Sequence, residues 1–377
     1  MKIAFDLRRI KNPGIGRYMK CLVEAVVARA PEHEYLLILP PDANGILHCP
    51  HGRVQEIVSS VKYYSLREQI ELPRILRRYK IDLLHSPHFN MPLASPCPVI
   101  ATLHDVIYLA CPEDLPSRLG RGYYRVMMEA AVRRADRIIT VSEFSRREIL
   151  RYLNAGNAEV EVIHSGVDPL FTVLTDPGQV RRVLERHGIT TDYVLYAGIY
   201  KPRKNHAGLI RAFACFLAKG AKGQLVIAGA LGEGERELRA LATELGIASR
   251  VVLTGFVDDC ELRALYSGAS AYACPSLYEG FGFTVLEAMA CGAPVVSSPE
   301  TSLPEVAGEA ALYADARDAE EFGAALYRVF TDQTLRERLI PAGRTNLQRF
   351  NWADAAERTV RVYEHVLGAP AQKAVCA

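Results

Sequence analysis

The stretch "SAYACPSLYEGFGFTVLEAMACGAPVVSS", residues 270–298, decides the fold of this chain. Its apolar start, "SAYACPS", predicts a buried strand, "LYEGFGF" predicts a turn, "TVLEAMAC" predicts a short helix, and "PVVSS" predicts the next strand. Strand, helix and strand in this order form the repeating unit of a parallel sheet that is covered on both faces. The stretch therefore predicts an α/β fold whose ligands bind at the carboxyl ends of the strands.

The same alternation runs through the whole chain in two blocks. Strands are predicted at "KIAFDL", "EYLLIL", "IDLLHS", "PVIATLHD" and "RIITVSE", and again at "YVLYAGIY", "GQLVIAGA" and "RVVLTGFV". Between the blocks, "VDPLFTVLTDPG" has two prolines and little periodicity, which predicts a linker near 167–178. The 377 residues also exceed the roughly 250–300 at which a single core stops growing. We predict two domains, at 1–172 and 173–354, followed by a terminal helix at 355–377.

Composition excludes several classes of protein. The net charge of +2 argues against a nucleic-acid-binding protein that relies on bulk positive charge. The opening "MKIAFDLRRI" predicts a first strand rather than a signal peptide, and no apolar run reaches the roughly 18 residues of a membrane span. The nine cysteines stand singly, without a Cys-x-x-Cys pair, which favours a reducing cytosol. They are Cys21, Cys49, Cys97, Cys111, Cys215, Cys260, Cys274, Cys291 and Cys376.

The turn at 278–284 carries the strongest functional signal. The amides of residues 281–284 should lie at a helix N-terminus, where unpaired N–H groups and the helix dipole favour a diphosphate. Gly280 and Gly282 let a ligand approach the backbone closely. Glu279 before the turn and Glu287 in the helix could accept hydrogen bonds from sugar hydroxyls on either side of that diphosphate. Taken singly, each glutamate also fits an ordinary structural role.

A second candidate is the loop "YAGIYKPRKN", residues 196–205. It follows a predicted strand and presents Lys201, Arg203 and Lys204, whose charges could neutralise a leaving diphosphate. A solvated loop that happens to be basic explains the same residues equally well.

The strand ends of the first domain carry weaker candidates. Gly14 and Gly16 in "NPGIGRYM" could turn backbone amides toward a ligand, although a plain tight turn is an equal alternative. His104 in "ATLHDVIY" could hydrogen-bond a sugar hydroxyl, or could be a structural histidine. For His85 and His88 the structural role is favoured.

No motif for metal, hydrolase or NTPase chemistry is found in the sequence. It has no Asp-x-Asp, no His/Cys cluster with ligand spacing, no Gly-x-Ser-x-Gly and no P-loop. If a diphosphate leaves from this site, lysine, arginine and helix-end amides must stabilise it. We therefore expect no metal and no cofactor beyond the co-substrate.

Together these motifs resemble the retaining glycosyltransferases of family 4, which have the GT-B fold of two Rossmann-like parallel-sheet domains facing across a cleft. "EGFGFTVLEAMACGAPVV" is similar to the family's Glu-x7-Glu signature, "PRKN" to its donor-phosphate lysine loop, and "PGIGRY" to its N-terminal glycine loop. "HDV" resembles the active-site histidine segment, and "VSEFSRREI" and "HSGVD" resemble inter-domain landmarks. The predicted helix at 355–377 resembles the helix that crosses back onto the first domain.

The resemblance implies a role for individual residues. Lys204 would bind the diphosphate, Glu279 the sugar hydroxyls, and Glu287 the ribose. Gly16 would approach the phosphate, and His104 would contact the transferred sugar. The implied catalytic residues are His104, Lys204 and Glu279, and the implied donor-binding residues are Gly14, Gly16, Arg203, Lys204, Phe256, Val257, Glu279, Gly280, Phe281, Gly282, Phe283 and Glu287, with Phe256 and Val257 near the base.

The chain departs from the family pattern at one position. Many members have an arginine directly after the glycine that matches Gly198, whereas this chain has Ile199. Arg203 stands beside the phosphate-binding lysine, and the sequence leaves open whether it replaces the missing charge.

The resemblance also implies a reaction. No agreed nucleophile exists in the family, so we expect metal-independent front-face transfer with retention, in which the leaving diphosphate takes the acceptor proton. The expected donor is GDP-mannose and the expected acceptor a saccharide or lipid-linked saccharide of a bacterial surface polysaccharide. A UDP-sugar-dependent glucosyl or N-acetylglucosaminyl transferase, a sugar-nucleotide epimerase and a non-catalytic sugar-nucleotide binder remain alternatives.

Location and partners follow from two segments of the first domain. Residues 63–80 and 117–137 mix arginine, tyrosine and aliphatic side chains, as a peripheral helix at an anionic membrane would. Two amphipathic helices with one solvated face are the alternative. We expect a cytoplasmic protein, with peripheral contact at the inner face of the cytoplasmic membrane as one possibility, and no nucleic-acid partner.

Overall fold

The computed structural model describes residues 1–43, 45–49, 52–155 and 158–368. The first half of the chain contains β1 (Lys2–Asp6), α1 (Ile15–Arg29), β2 (Glu34–Leu39), β3 (Val54–Val58), α2 (Glu68–Arg78), β4 (Leu83–Ser86), β5 (Val99–Thr102), α3 (Ile107–Ala110), α4 (Arg118–Arg134), β6 (Arg137–Thr140), α5 (Glu143–Tyr152) and β7 (Val160–Val162). The second half contains α6 (Pro177–Arg186), β8 (Tyr193–Ala197), α7 (His206–Ala218), β9 (Gln224–Ala228), α8 (Gly234–Glu244), β10 (Val251–Gly255), α9 (Asp259–Gly268), β11 (Ala271–Cys274), α10 (Phe283–Ala290), β12 (Val295–Ser297), α11 (Leu303–Ala307), β13 (Ala311–Tyr313), α12 (Ala319–Thr331), α13 (Gln333–Leu347) and α14 (Trp352–Gly368).

Two parallel sheets confirm the predicted α/β fold. The first has the order β3-β2-β1-β4-β5-β6-β7 and the second β10-β9-β8-β11-β12-β13. The central strands are fully buried apolar runs, as expected where helices cover both faces. In each sheet the strand order reverses at one place, between β1 and β4 and between β8 and β11. Ligands of such sheets bind beside the carboxyl ends of the strands at this switch point.

The contacts divide the chain into two units. Unit 1 comprises Met1–Ala110, Leu115–Gly166 and the described residues from Asn351 onward. Unit 2 comprises Cys111–Asp114 and Val167–Phe350. The predicted boundaries after 172 and 354 fall a few residues later than these. Part of the predicted linker is folded into unit 2, because the Phe171 ring packs edge-on against Tyr266 and the Arg263 guanidinium donates to the Thr172 carbonyl at 2.8 Å.

The terminal helix α14 belongs to unit 1. It packs along α1, and its Tyr363 hydroxyl lies 2.6 Å from Nδ1 of His85 on β4. Nε2 of His85 lies 2.9 Å from the Thr102 hydroxyl, so both ring nitrogens have a partner within the core. His85 is therefore structural, as the sequence favoured. The last nine residues of the predicted helix, 369–377, lie outside the described residues.

Candidate active site

Two loops meet at the switch point of the second sheet. The first follows β8 and contains Lys201, Arg203 and Lys204, and the second follows β11 and contains Glu279. The Leu277 amide donates to the Arg203 carbonyl at 2.7 Å, which ties the loops together. The structure thus brings together two sequence motifs that lie 75 residues apart.

Glu279 lies between two cations. Its Oε1 is 2.5 Å from Nζ of Lys204, and its Oε2 is 3.6 Å from Nη1 of Arg203. Burial of Glu279 opposes ionisation, but the charges of Lys204 and Arg203 outweigh it and lower the pKa of the carboxyl. Arg203 also pairs with the carboxylate of Asp114, so the three cations of the loop, Lys201, Arg203 and Lys204, stand against two carboxylates, and the cluster can accept further negative charge.

Asp114 holds the arginine of this cluster and was not foreseen from the sequence. Its buried carboxylate lies 2.6 Å from Nε of Arg203, and its carbonyl accepts a hydrogen bond from Nζ of Lys201 at 3.1 Å. Arg203 also donates to the Tyr278 carbonyl at 3.3 Å. Asp114 is 89 residues from Arg203 in sequence, and no local pattern could have signalled the pairing.

The position that departs from the family pattern lies at the same edge of the sheet. Ile199, two residues after the end of β8, is 40% exposed and brings no charge. Arg203 brings its guanidinium to the same carboxylate as Lys204. The second cation of the cluster is therefore Arg203, in the loop after β8, and not the residue at position 199.

Two hydroxyl groups that the sequence did not indicate form hydrogen bonds to the backbone of the turn before α10. The Ser302 hydroxyl donates to the carbonyls of Glu279 and Phe281 at 2.9 and 2.8 Å. The Thr301 hydroxyl accepts a hydrogen bond from the Glu279 amide at 3.1 Å. Thr301 adopts φ +60°, a strained conformation for a β-branched residue that surrounding contacts must maintain. These bonds set the direction in which Glu279 points.

The N-terminus of α10 comes directly after this turn in the chain. Gly282, the residue before the helix, has φ +117° and no side chain to cap it. The helix begins at Phe283, so the amides of Phe283 and Thr284, two of the four at 281–284 that the sequence assigned to a diphosphate, are its first amides. The Phe281 ring is buried edge-on between Phe283 and Phe350, which fixes the turn from its apolar side.

Three more predicted residues lie around this helix and sheet. Glu287 is 1% exposed and accepts a hydrogen bond from the Tyr266 hydroxyl at 3.2 Å. Phe256 follows the edge strand β10, and its side chain is 78% exposed, whereas Val257 is buried. An exposed aromatic ring at the carboxyl end of a strand offers a surface on which a nucleobase can stack.

The glycine loop lies in unit 1, at the start of α1. Gly14 precedes the helix with φ +75°, which suits glycine. At Gly16 a Cβ atom would lie 2.0 Å from the Ile10 carbonyl oxygen, so only glycine fits there. The Gly16 amide donates to the Asn12 carbonyl at 2.8 Å, so this amide is bonded within the loop. The role of Gly14 and Gly16 in bringing the backbone close to a phosphate stays a prediction.

His104 follows β5, also in unit 1. Its Nε2 lies 3.1 Å from the Pro87 carbonyl, and its ring packs edge-on against Tyr18 with centroids 4.6 Å apart. Burial, with a smaller effect from Arg9, lowers the pKa of His104 to about 4, although the Pro87 carbonyl acts in the opposite direction. The imidazole is therefore neutral near pH 7. It donates from Nε2, which leaves Nδ1 as an acceptor.

Metal ligands were not expected from the sequence. In the described part of the chain, no three His, Cys, Asp or Glu side chains come together as a group that could hold a metal ion.

The chain belongs to glycosyltransferase family 4. Residues 13–170 match the family described as "Glycosyltransferase Family 4", and residues 183–346 match the one described as "Glycosyl transferases group 1". A relative, "O-antigen chain mannosyltransferase B" of Escherichia coli, is 31% identical over 97% of this chain and 100% of its own length.

Solved structures share the fold. Sucrose-phosphate synthase from Thermosynechococcus elongatus has a TM-score of 0.79 at 22% identity and covers 98% of this chain and 100% of its own. Anabaena HepE in complex with UDP and glucose has a TM-score of 0.75 at 21% identity, with 97% and 100% covered. The two Rossmann-like domains are thus those of GT-B glycosyltransferases.

Proposed function

We propose that this protein transfers mannose from GDP-mannose to a saccharide or lipid-linked saccharide during assembly of a bacterial surface polysaccharide. The observation that carries the proposal is the Lys204–Glu279–Arg203 cluster beside the uncapped start of α10. The full-length similarity to an O-antigen chain mannosyltransferase supports mannose as the transferred sugar.

Each part of the donor has a matching group in unit 2. The diphosphate binds to Lys204, Arg203 and the first amides of α10, because both cations and helix-end N–H groups favour negative charge. Glu279 accepts hydrogen bonds from the mannose hydroxyls. Glu287 does the same for the ribose, and Phe256 stacks on the base.

The reaction is front-face transfer with retention. The bond between the anomeric carbon and the diphosphate oxygen breaks, and the acceptor oxygen bonds to that carbon on the same face. The acceptor proton passes to the leaving diphosphate oxygen. Lys204 and Arg203 stabilise the charge that develops there, so a divalent cation is not required.

A UDP-sugar donor is the second candidate, favoured by the structural likeness to HepE in complex with UDP and glucose. The groups that would contact diphosphate and sugar do not depend on the base. An epimerase would convert the donor without acceptor, and a non-catalytic binder would show no turnover.

Peripheral membrane contact is a further part of the proposal. Arg77, Arg78 and Lys80 at the end of α2 are exposed, and Leu66 before the helix and Ile70 within it are 88% and 53% exposed. Cationic and apolar side chains of this kind favour an anionic bilayer surface, where a lipid-linked acceptor would be presented. Replacing the three cations by Ser should reduce binding to anionic liposomes at low salt, and unchanged binding would contradict it. No helix in the described ranges has the length and apolarity to cross a bilayer.

A thermal-shift panel tests the donor assignment. GDP-mannose, GDP, UDP-glucose, UDP-N-acetylglucosamine and UDP are compared with and without EDTA. A ligand at 100 times its Kd stabilises the native state by about 2.7 kcal/mol, which is readily measured as a rise in Tm. We expect a rise with the two guanine ligands that EDTA does not change. A rise with the uridine ligands instead would favour the second candidate, and no rise with any would contradict the donor site.

A further inference from the structure

The switch point of the first sheet also carries a cluster of side chains, and its chemistry differs from that of the donor site. Arg8 and Arg9 follow β1, and His88 and Phe89 follow β4. Tyr64, from the loop after β3, completes the group, which we call the Tyr64 platform. Its position is the one at which ligands bind to sheets of this strand order.

Aromatic contacts hold Tyr64 in place. Its ring stacks on Phe89, with centroids 5.9 Å apart and 16° between the planes, and meets the edge of Tyr123 at 5.5 Å. Tyr64 has φ +62°, which is strained for a bulky residue, yet 44% of it remains exposed. The surroundings therefore hold in place an aromatic residue that remains partly exposed to solvent.

The charges beneath the platform cancel. Arg8 is buried and pairs with Asp6 at 2.7 Å and with Glu68 at 3.2 Å. The Arg9 guanidinium lies over Tyr64 at 5.5 Å from the ring centroid, and it also contacts the Tyr64 hydroxyl. Two arginines thus stand against two acids, whereas at the donor site three cations, Lys201, Arg203 and Lys204, stand against Glu279 and Asp114. The platform is not built for a diphosphate.

A second set of bonds supplies polar groups at the edge of the ring. Nη1 of Arg9 lies 3.2 Å from Nε2 of His88, whose pKa is well below its usual value because of burial and, to a smaller extent, the charge of Arg9. The Tyr123 hydroxyl donates to Oδ1 of Asn90 at 2.7 Å. The Arg9 guanidinium and the side chain of Tyr123, which carries a phenol hydroxyl, therefore both contact Tyr64.

We propose that the Tyr64 platform binds a neutral pyranoside ring of the acceptor. The apolar C–H face of the sugar packs on Tyr64, and Arg9 donates hydrogen bonds to the sugar hydroxyls. The proposal rests on the proposed function for the identity of the sugar, a mannoside. It assigns acceptor recognition to Arg9, Tyr64 and Tyr123, of which Tyr64 and Tyr123 lie in the segments 63–80 and 117–137 that the sequence connected with a membrane surface.

Saturation-transfer NMR with methyl α-D-mannopyranoside, without any nucleotide, tests the proposal directly. We expect wild-type protein to give saturation transfer to the C–H protons of the sugar and Tyr64→Ala to weaken binding about tenfold. Tyr64→Phe keeps the ring and should stay within about threefold of wild type. Tyr79→Ala is the matched control, since Tyr79 lies at the other end of the sheet, with Lys2 at the start of β1 6.0 Å from its ring centroid. A folded Tyr64→Ala that binds like wild type, or a wild type that does not bind the mannoside, would overturn the proposal.

Kinetics separate this inference from the proposed function. If mannose is transferred, Tyr64→Ala should raise the acceptor KM about tenfold and leave GDP affinity unchanged. If Tyr64→Ala transfers mannose at the wild-type rate and acceptor KM, the proposal for the Tyr64 platform is contradicted and the proposed function is unaffected. Mannoside binding that depends on Tyr64, in a protein that does not use GDP-mannose, would support the Tyr64 platform and contradict the proposed function.

Discussion

Neutralising Glu279 and neutralising Lys204 should change GDP affinity in opposite directions. In the structure Lys204 is held by Glu279 at 2.5 Å, so a diphosphate competes with that carboxylate for the same ammonium group. A unit charge roughly 7 Å from a phosphate charge contributes about 2 kcal/mol at an effective dielectric constant of about 20. Glu279→Gln should therefore tighten GDP binding by up to about 30-fold, and Lys204→Gln should weaken it by a similar factor.

Both substitutions should nevertheless slow transfer. Glu279→Gln loses an acceptor for the sugar hydroxyls, and Lys204→Gln loses stabilisation of the leaving diphosphate. Without ligand, Glu279→Gln should also lower the Tm, because it leaves the partly buried Lys204 without its carboxylate and Arg203 with Asp114 alone, and GDP should restore part of the loss.

Isothermal titration with GDP is the assay, with the initial rate of mannose transfer as a second readout. Glu235→Gln is the control, because Glu235 forms an exposed ion pair with Arg239 on α8 that should contribute at most about 1 kcal/mol. The reasoning is refuted if Glu279→Gln weakens GDP binding as much as Lys204→Gln does, or if Lys204→Gln binds GDP with wild-type affinity.

Three further predictions concern positioning, backbone fit and pH. Asp114→Asn should loosen Arg203 and raise the donor KM about tenfold with little change in the acceptor KM, while equal changes in both would indicate a general structural defect. Gly16→Ala should destabilise the fold by about 1–3 kcal/mol because of the clash with a backbone carbonyl, whereas Gly122→Ala, which has open space, should stabilise α4 by about 0.5–1 kcal/mol; chemical denaturation measures both. Burial, with a smaller effect from the nearby His104, lowers the pKa of His85 to about 3. Unfolded His85 therefore binds a proton that the native state does not, and the free energy of unfolding should fall below about pH 6.5 by up to about 1.4 kcal/mol per pH unit for this residue. His85→Gln should reduce the pH dependence of the free energy of unfolding in this range. An unchanged pH dependence would contradict the assignment of that slope to His85.

The central strands were predictable because they are continuous apolar runs. Strands β1, β2, β8 and β9 are buried on both faces, and their composition alone indicates a parallel sheet. The edge strands β3, β7 and β13 were missed, because each has partly exposed residues and too short a run to stand out from a loop.

The candidate site likewise has residues that the sequence predicted and residues that it did not. The glutamates and glycines around α10 lie within ten residues, so local spacing predicts their arrangement. Asp114, Thr301 and Tyr266 support the site through contacts across 21 to 89 residues of sequence, which no local pattern encodes. The predicted linker starts at Val167, where unit 2 resumes, but the sequence did not show that part of it is folded, because Phe171 is anchored by the distant Tyr266.

The central claim is that unit 2 binds a guanine nucleotide sugar and that mannose is transferred from it. The most direct test incubates the protein with equal concentrations of GDP-mannose labelled with carbon-13 in the sugar, UDP-glucose and UDP-N-acetylglucosamine, with methyl α-D-mannopyranoside as acceptor. Mass spectrometry then shows which sugar the product carries, with Lys204→Gln as the control. We predict that wild-type protein forms the labelled mannoside, with and without EDTA, and that the variant forms at least tenfold less. A product that carries glucose or N-acetylglucosamine, or labelled product formed equally by the variant, would contradict the account.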